Sequence, residues 1–392
     1  MKSLVLYCNC SKEKKEFEGK QEVDTCRLPD KNNVEFHINL WKIKNGVIRI
    51  TPSLIFDFGI KFSNDITELC LFLPFRVPSH NGVKDLGECL STNRDLLNAV
   101  FNEDMICQSA DNHCFYKVSS NSAIGKQKDP FFIYQLGEEN VKLEEYSGNS
   151  VVKGSFLFIS INGTPSGEQA EKPMQYYVRF RVNVEDINEI VRTEILSNDL
   201  LQAAFSRMDL FDIRLNEQRE IPSKVDEKMK KHQFELCTFN KLHFFYIVDT
   251  HEAIDNGVDV RKDSRLLENE QWKEYEPQSN IKGLNYIAHH WKKTPTIESE
   301  GKFRHFNLFF STIYPKLSSV RLLAYFSIIV LLGWLGSMLT FSLKDLQSCN
   351  NNTVWSFHWI CPIIVVGLFL FLVFYILKTN TVVSCFKVRR KI

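Results

Sequence analysis

The chain has 392 residues, with 48 basic and 47 acidic side chains and a net charge of +1. That balance excludes a protein whose main work is coating nucleic acid, because such a surface is strongly basic, and no nucleic-acid partner is expected. With 44% hydrophobic and 24% charged residues, the composition also excludes global disorder, collagen and a multi-span membrane protein.

Met1-Lys2 is followed only by SLVLYC before polar residues begin, too short an apolar run for a secretory signal. Val34 to Trp41 alternates, with Val34, Phe36, Ile38 and Leu40 as the inward set. GVIRIT follows across a Lys-Asn-Gly turn, so the two runs read as a β-hairpin. SLIFDFGIKF, ELCLFLPFRV, CFYKV, FFIYQL, SFLFISI, YYVRFRVNV, FDIRL, FELCTF and LHFFYIV continue the strand pattern. Their many phenylalanines suit strands and read as core. SFLFISI and YYVRFRV flank the polar stretch 162–173, which reads as a long hairpin loop. The stretch 119–130 offers a domain boundary or a loop within one domain.

Helices are fewer. Residues 93–101 carry Leu96, Leu97, Val100 and Phe101 at helical spacing. Residues 186–205 carry a stripe of Ile187, Ile190, Val191, Ile195 and Leu196 and are expected to be helical. KVDEKMKKHQ, from Lys224, reads as a linker or exposed helix. The fold class expected is a β-rich (α+β), sandwich-like cytosolic body followed by a two-helix transmembrane hairpin. The regions are 1–125, β-rich, and 126–304, β-rich with inserted helices, forming two domains or one. After them come a juxtamembrane segment at 305–321, the hairpin at 322–377 and a basic tail at 378–392. Phe306, Phe309, Phe310 and Ile313 make the juxtamembrane segment either an amphipathic surface helix or a last strand.

Leu322–Leu343 and Trp355–Leu377 carry no Asp, Glu, Lys or Arg and are about 20 residues or slightly longer, enough for a span. Basic residues precede the first run and follow the second, so both termini are expected in the cytosol and the connector outside, with the protein passing twice through the inner membrane. Gly333, Gly336, Ser337 and Thr340 form a small-residue stripe suited to helix packing or a pore, with Pro362 and Gly367 on the second run.

Chemical motifs are weak. No phosphate loop, nucleophile elbow or dinucleotide fingerprint occurs. Asp249, His251 and Asp255 gather in one loop and are the first place to look for catalysis, although the loop reads as an ordinary polar turn. Cys8, Cys10 and Cys26, with His37 as a conceivable fourth ligand, are weak metal candidates, because zinc sites favour C-x₂₋₄-C pairs. His289-His290-Trp291-Lys292-Lys293 is a basic aromatic cluster suited to phosphate or a headgroup at a surface. No cofactor is expected. Three functions remain open: a sensor whose hairpins act on the membrane, an adaptor recruiting a protein partner, and a tethered enzyme. The first matches the layout of bacterial membrane-acting defence effectors by architecture alone. The partners expected are a lipid bilayer, further copies of the chain, and a protein or small ligand at the body.

Overall fold

The computed structural model describes residues 3–10, 33–43, 53–78, 82–109, 114–121, 129–147, 153–163, 165, 174–184, 190–194, 206–255, 263–267, 272, 275, 285–296, 301–315, 319–348 and 367. Between 319 and 348, side chains are described for residues 325–338 and 340. The chain divides into two compact units, Met1–Glu194 with Asp209–Ile313, and Ile195–Met208 with Tyr314–Ile392.

Five strands come first: β1 (Val5–Cys10), β2 (Asn33–Ile43), β3 (Ser53–Ser63), β4 (Ile66–Leu73) and β5 (Val83–Asp85). Two short helices follow, α1 (Gly87–Thr92) and α2 (Arg94–Phe101). Next are β6 (Met105–Ser109), β7 (Phe115–Ser120), β8 (Phe131–Tyr134), β9 (Val141–Ser147), β10 (Lys153–Ser160), β11 (Gln175–Asn183), β12 (Val191–Glu194) and β13 (Ser206–Leu215). After the helix Ser223–Lys231 come β14 (Glu235–Leu236), β15 (Thr238–Asp249), β16 (Ala253–Asp255), β17 (Asp263–Leu266), β18 (Tyr286–Lys293) and β19 (Phe306–Pro315).

A ten-stranded sheet in the order β17-β18-β15-β2-β3-β11-β8-β7-β6, with β5 added on β11, forms one layer of the first unit. A five-stranded sheet, β14-β1-β4-β10-β9, faces it. A four-stranded sheet, β12-β13-β19-β16, continues that second layer, and Leu4, just before β1, bridges to Leu215 of β13. Alternation along each strand sends every second residue into the space between the layers. Val34, Phe36, Ile38 and Leu40 do so from β2, as expected, beside Phe56, Phe58 and Ile60 of β3 and Phe244 of β15. Leu69, Leu71 and Leu157 answer from the facing sheet. Stacked rings fill the middle: Phe36 lies 5.9 Å from Phe58 and 5.9 Å from Phe239. The back of the five-stranded sheet is closed by the helix Ser223–Lys231, whose Val225 and Met229 pack on Tyr7, Phe72 and Phe156. The β-rich, layered body expected from the sequence is therefore present.

Several connections differ from expectation. The partner of β2 is β3, in register Ile43↔Ser53, so the hairpin closes on SLIFDFGIKF. GVIRIT lies outside the described residues. β10 and β11 do not form a hairpin, because they belong to different sheets. Residues 162–173 therefore connect the two layers. β7 and β8 pair directly across the stretch 119–130, whose first residues, Ser119 and Ser120, end β7. The expected helix over 186–205 is a strand at Val191–Glu194, where β-branched Val191 and Thr193 suit a sheet. The other residues of that stretch, apart from Ile190, lie outside the described set. The segment before the expected spans resolves to strand β19, and Phe306, Leu308 and Phe310 are core residues.

The membrane expectation is corrected. A helix runs over Ser319–Ser348, but among the described residues no helix is long and apolar enough to cross a membrane. The second expected span lies outside the described residues except for Gly367. A two-pass protein of the inner membrane, and the topology built on it, are therefore not carried forward. Within the helix, the Ser337 and Thr340 hydroxyls donate to the carbonyls of Gly333 and Gly336 at 3.0 and 2.8 Å.

Candidate functional site

The side of the ten-stranded sheet facing away from the sandwich carries an unusual row of polar residues. β2 and β15 pair in parallel, with His37 opposite His243 and Glu35 opposite Lys241. β18 adds His290, opposite Phe245. Alternation therefore brings Glu35, His37, Lys241, His243 and His290 to one face. β3 places Gly59 beside His37. A side chain there would collide with the Tyr177 hydroxyl, so the glycine is what lets Tyr177 reach the row.

One carboxylate oxygen is the hub. Glu35 Oε1 lies 3.1 Å from His37 Nε2, 3.0 Å from Lys241 Nζ and 3.7 Å from His243 Nε2. His243 Nδ1 is 2.8 Å from His290 Nε2. The other nitrogen of that ring, Nε2, is buried and has no hydrogen-bond partner among the described residues. Behind His37, Tyr177 holds its hydroxyl 3.5 Å from Nδ1 and accepts from Arg179 Nη1 at 2.7 Å. Arg179 Nε donates to Tyr275 at 2.6 Å. This buried chain fixes the His37 ring.

Burial sets the charge states. It pushes His37 downward, outweighing the pull of Glu35. It also lowers His243 to about 2, aided by the neighbouring charges of His37, Lys241 and His290. Both imidazoles are neutral at physiological pH, so His37 holds Glu35 by a hydrogen bond rather than a charge pair. Burial alone would raise Glu35, but His37 and Lys241 reverse it and hold the carboxyl well below its usual range.

The row forms part of the floor of a cavity of about 440 Å³, within the range of small-ligand sites. Its wall is the end of α2 and the residues after it. Asn93 caps that helix by accepting from Leu96 N at 3.0 Å. Asn102 ends it in the left-handed region at φ 55, which asparagine tolerates. The chain thereby turns over the sheet, and Phe101 packs 5.0 Å from Tyr177 and 5.1 Å from Phe131. Arg265 of β17 ties the rim by donating to the Ala99 carbonyl at 2.8 Å. Neutral imidazoles, a carboxylate and an ammonium beside aromatic rings can exchange hydrogen bonds with a polar ligand. Glu35, His37 and His243 also present three donor atoms within 4.8 Å of one another.

The residues singled out in the sequence lie elsewhere. Asp249 ends β15, buried, and accepts from the exposed His251 ring at 2.6 Å, while Asp255 lies on β16 opposite Ser311. Neither Asp249 nor His251 lines the cavity. Cys8 and Cys10 sit on β1. Cys10 lowers the Cys8 thiol, but Cys237 and burial outweigh it and push it up, which disfavours the metal-binding thiolate. Cys26 and Pro362 lie outside the described residues. Gly333, Gly336, Ser337, Thr340 and Gly367 belong to the second unit. The basic aromatic cluster is strand β18, with Trp291 in the core and His290 in the cavity. His243 drew no notice in the sequence; its signal was a polar position within the strand run KLHFFYIV.

Comparison with family models finds no match, and comparison with curated proteins finds no relative.

Proposed function

We propose that the β-sandwich is a recognition module, the sensor part of the protein, and that its ligand is a small molecule bound in the cavity above Glu35, His37 and His243. The observation that carries this reading is the polar floor. A sheet face that could be closed by apolar packing instead keeps imidazoles and a carboxylate beneath about 440 Å³ of space. Buried polar groups left partly unmatched are costly, and a fold that keeps them gains from a ligand that matches them. Phe101 and Phe131 supply an apolar wall, so the ligand has both a polar group and a flat or apolar part.

The test is thermal unfolding of the purified chain against nucleotides, sugar phosphates and amino acids, repeated with Ala99→Trp to fill the cavity. At least one compound should raise the midpoint of the native chain by several degrees and leave the variant unmoved. Equal shifts in both proteins, or none in either, would refute this assignment of the cavity.

A further inference from the structure

We infer that the floor of this cavity is a binding site for a divalent transition-metal ion of the zinc class, held by Glu35, His37 and His243. The inference rests on reading the cavity as the functional site and adds an ion to it. Ligand atoms about 2.0–2.1 Å from a tetrahedral ion lie roughly 3.3–3.4 Å from one another. Glu35 Oε1 is 3.1 Å from His37 Nε2 and 3.7 Å from His243 Nε2, which brackets that spacing before any ion is added. Two imidazoles and one carboxylate favour zinc, cobalt or iron over magnesium or calcium, which take oxygen ligands. Three protein ligands leave at least one coordination position open towards the cavity, as in sites that receive a substrate or ligand.

The surroundings supply what such ligands need. His243 turns Nδ1 to His290 and leaves Nε2 buried without a hydrogen-bond partner among the described residues, 3.7 Å from Glu35 Oε1. That is the orientation in which a second residue fixes a metal-binding imidazole. His37 has Tyr177 beside Nδ1, so its proton can sit there while Nε2 binds the ion. One group opposes the ion: the Lys241 ammonium, 3.0 Å from Glu35 Oε1. It is one-third exposed, so it can swing towards solvent on its flexible stem. Lys241 and the ion therefore compete for one oxygen, and removing the lysine should tighten binding.

The experiment titrates chelator-stripped full-length chain with zinc alone, in competition with a chromophoric chelator, and with cobalt(II) as a spectroscopic probe. One zinc per chain is expected, with intense low-coordinate cobalt bands and no response to magnesium. His243→Ala, checked for folding by circular dichroism, should lose about 100-fold in affinity or more. His290→Ala, a positioning change, should lose about 10–100-fold. Lys241→Met should bind at least as tightly as the native chain. No saturable binding to the native chain, unchanged affinity in folded His243→Ala, or weaker binding in Lys241→Met would each overturn the site. Ligand shifts in the chelator-stripped chain report on the cavity alone, so failure of the metal site and failure of the recognition reading are separable.

Discussion

The two faces of the ten-stranded sheet are built from the same strands yet do opposite things. Towards the sandwich, Phe36, Phe58, Val178 and Phe244 stack into a dry aromatic core. On the other side the neighbouring residues are His37, Asp57, Arg179 and His243, and the apolar cluster beside them is smaller. The first face gains from area removed from water, which is non-directional and tolerant of shape. The second depends on partners: Asp57 accepts from Arg181 at 2.6 and 2.9 Å and from Trp41 at 2.7 Å, all buried. One face makes the sandwich, and the other makes the cavity.

Adjacent residues of β3 test that division most severely. Asp57→Ala strands the buried Arg181 guanidinium and should cost about 3–5 kcal/mol in denaturant unfolding. Phe58→Leu, one residue along and facing the core, should cost only about 1–2 kcal/mol. Equal costs would mean that the faces are not held by different forces. Gly59→Ala drives a methyl into the Tyr177 hydroxyl; it should cost about 1–3 kcal/mol and, by shifting Tyr177, weaken zinc binding more than Phe58→Leu does. Asn93→Ala removes the cap of the helix that walls the cavity and should cost about 1 kcal/mol. If hydrogen exchange then quickens in residues 94–103 and not in β2, the wall loosens independently of the floor.

Much of the first face was legible in the sequence. The alternation of Val34, Phe36, Ile38 and Leu40 marks a strand and its inward side, because side-chain direction follows directly from the extended backbone. The helix over 93–101 was legible through its apolar spacing. Strand partners were not. β2 and β15 lie about two hundred residues apart, and alternation is the same whichever strand lies alongside. The chain of polar contacts shared that fate: His37 and His290 were visible singly, His243 hardly at all. Lys42 marks a limit of the pattern. It continues the inward parity of β2, yet its ammonium is buried on Asp209 and Glu252 at 2.7 and 2.6 Å. The apolar runs near the C-terminus misled in the other direction, since length and hydropathy alone suggested two spans.

Local chemistry by itself determined that this is a β-rich chain and which residues point inward. Those properties belong to a segment and its solvent preference, and need no distant partner. Only the tertiary structure decided that Glu35, His37, His243 and His290 meet beneath one cavity, because that depends on which strands pair and in what register. A shift of one residue between β2 and β15 would move His243 from beside His37 to the opposite face.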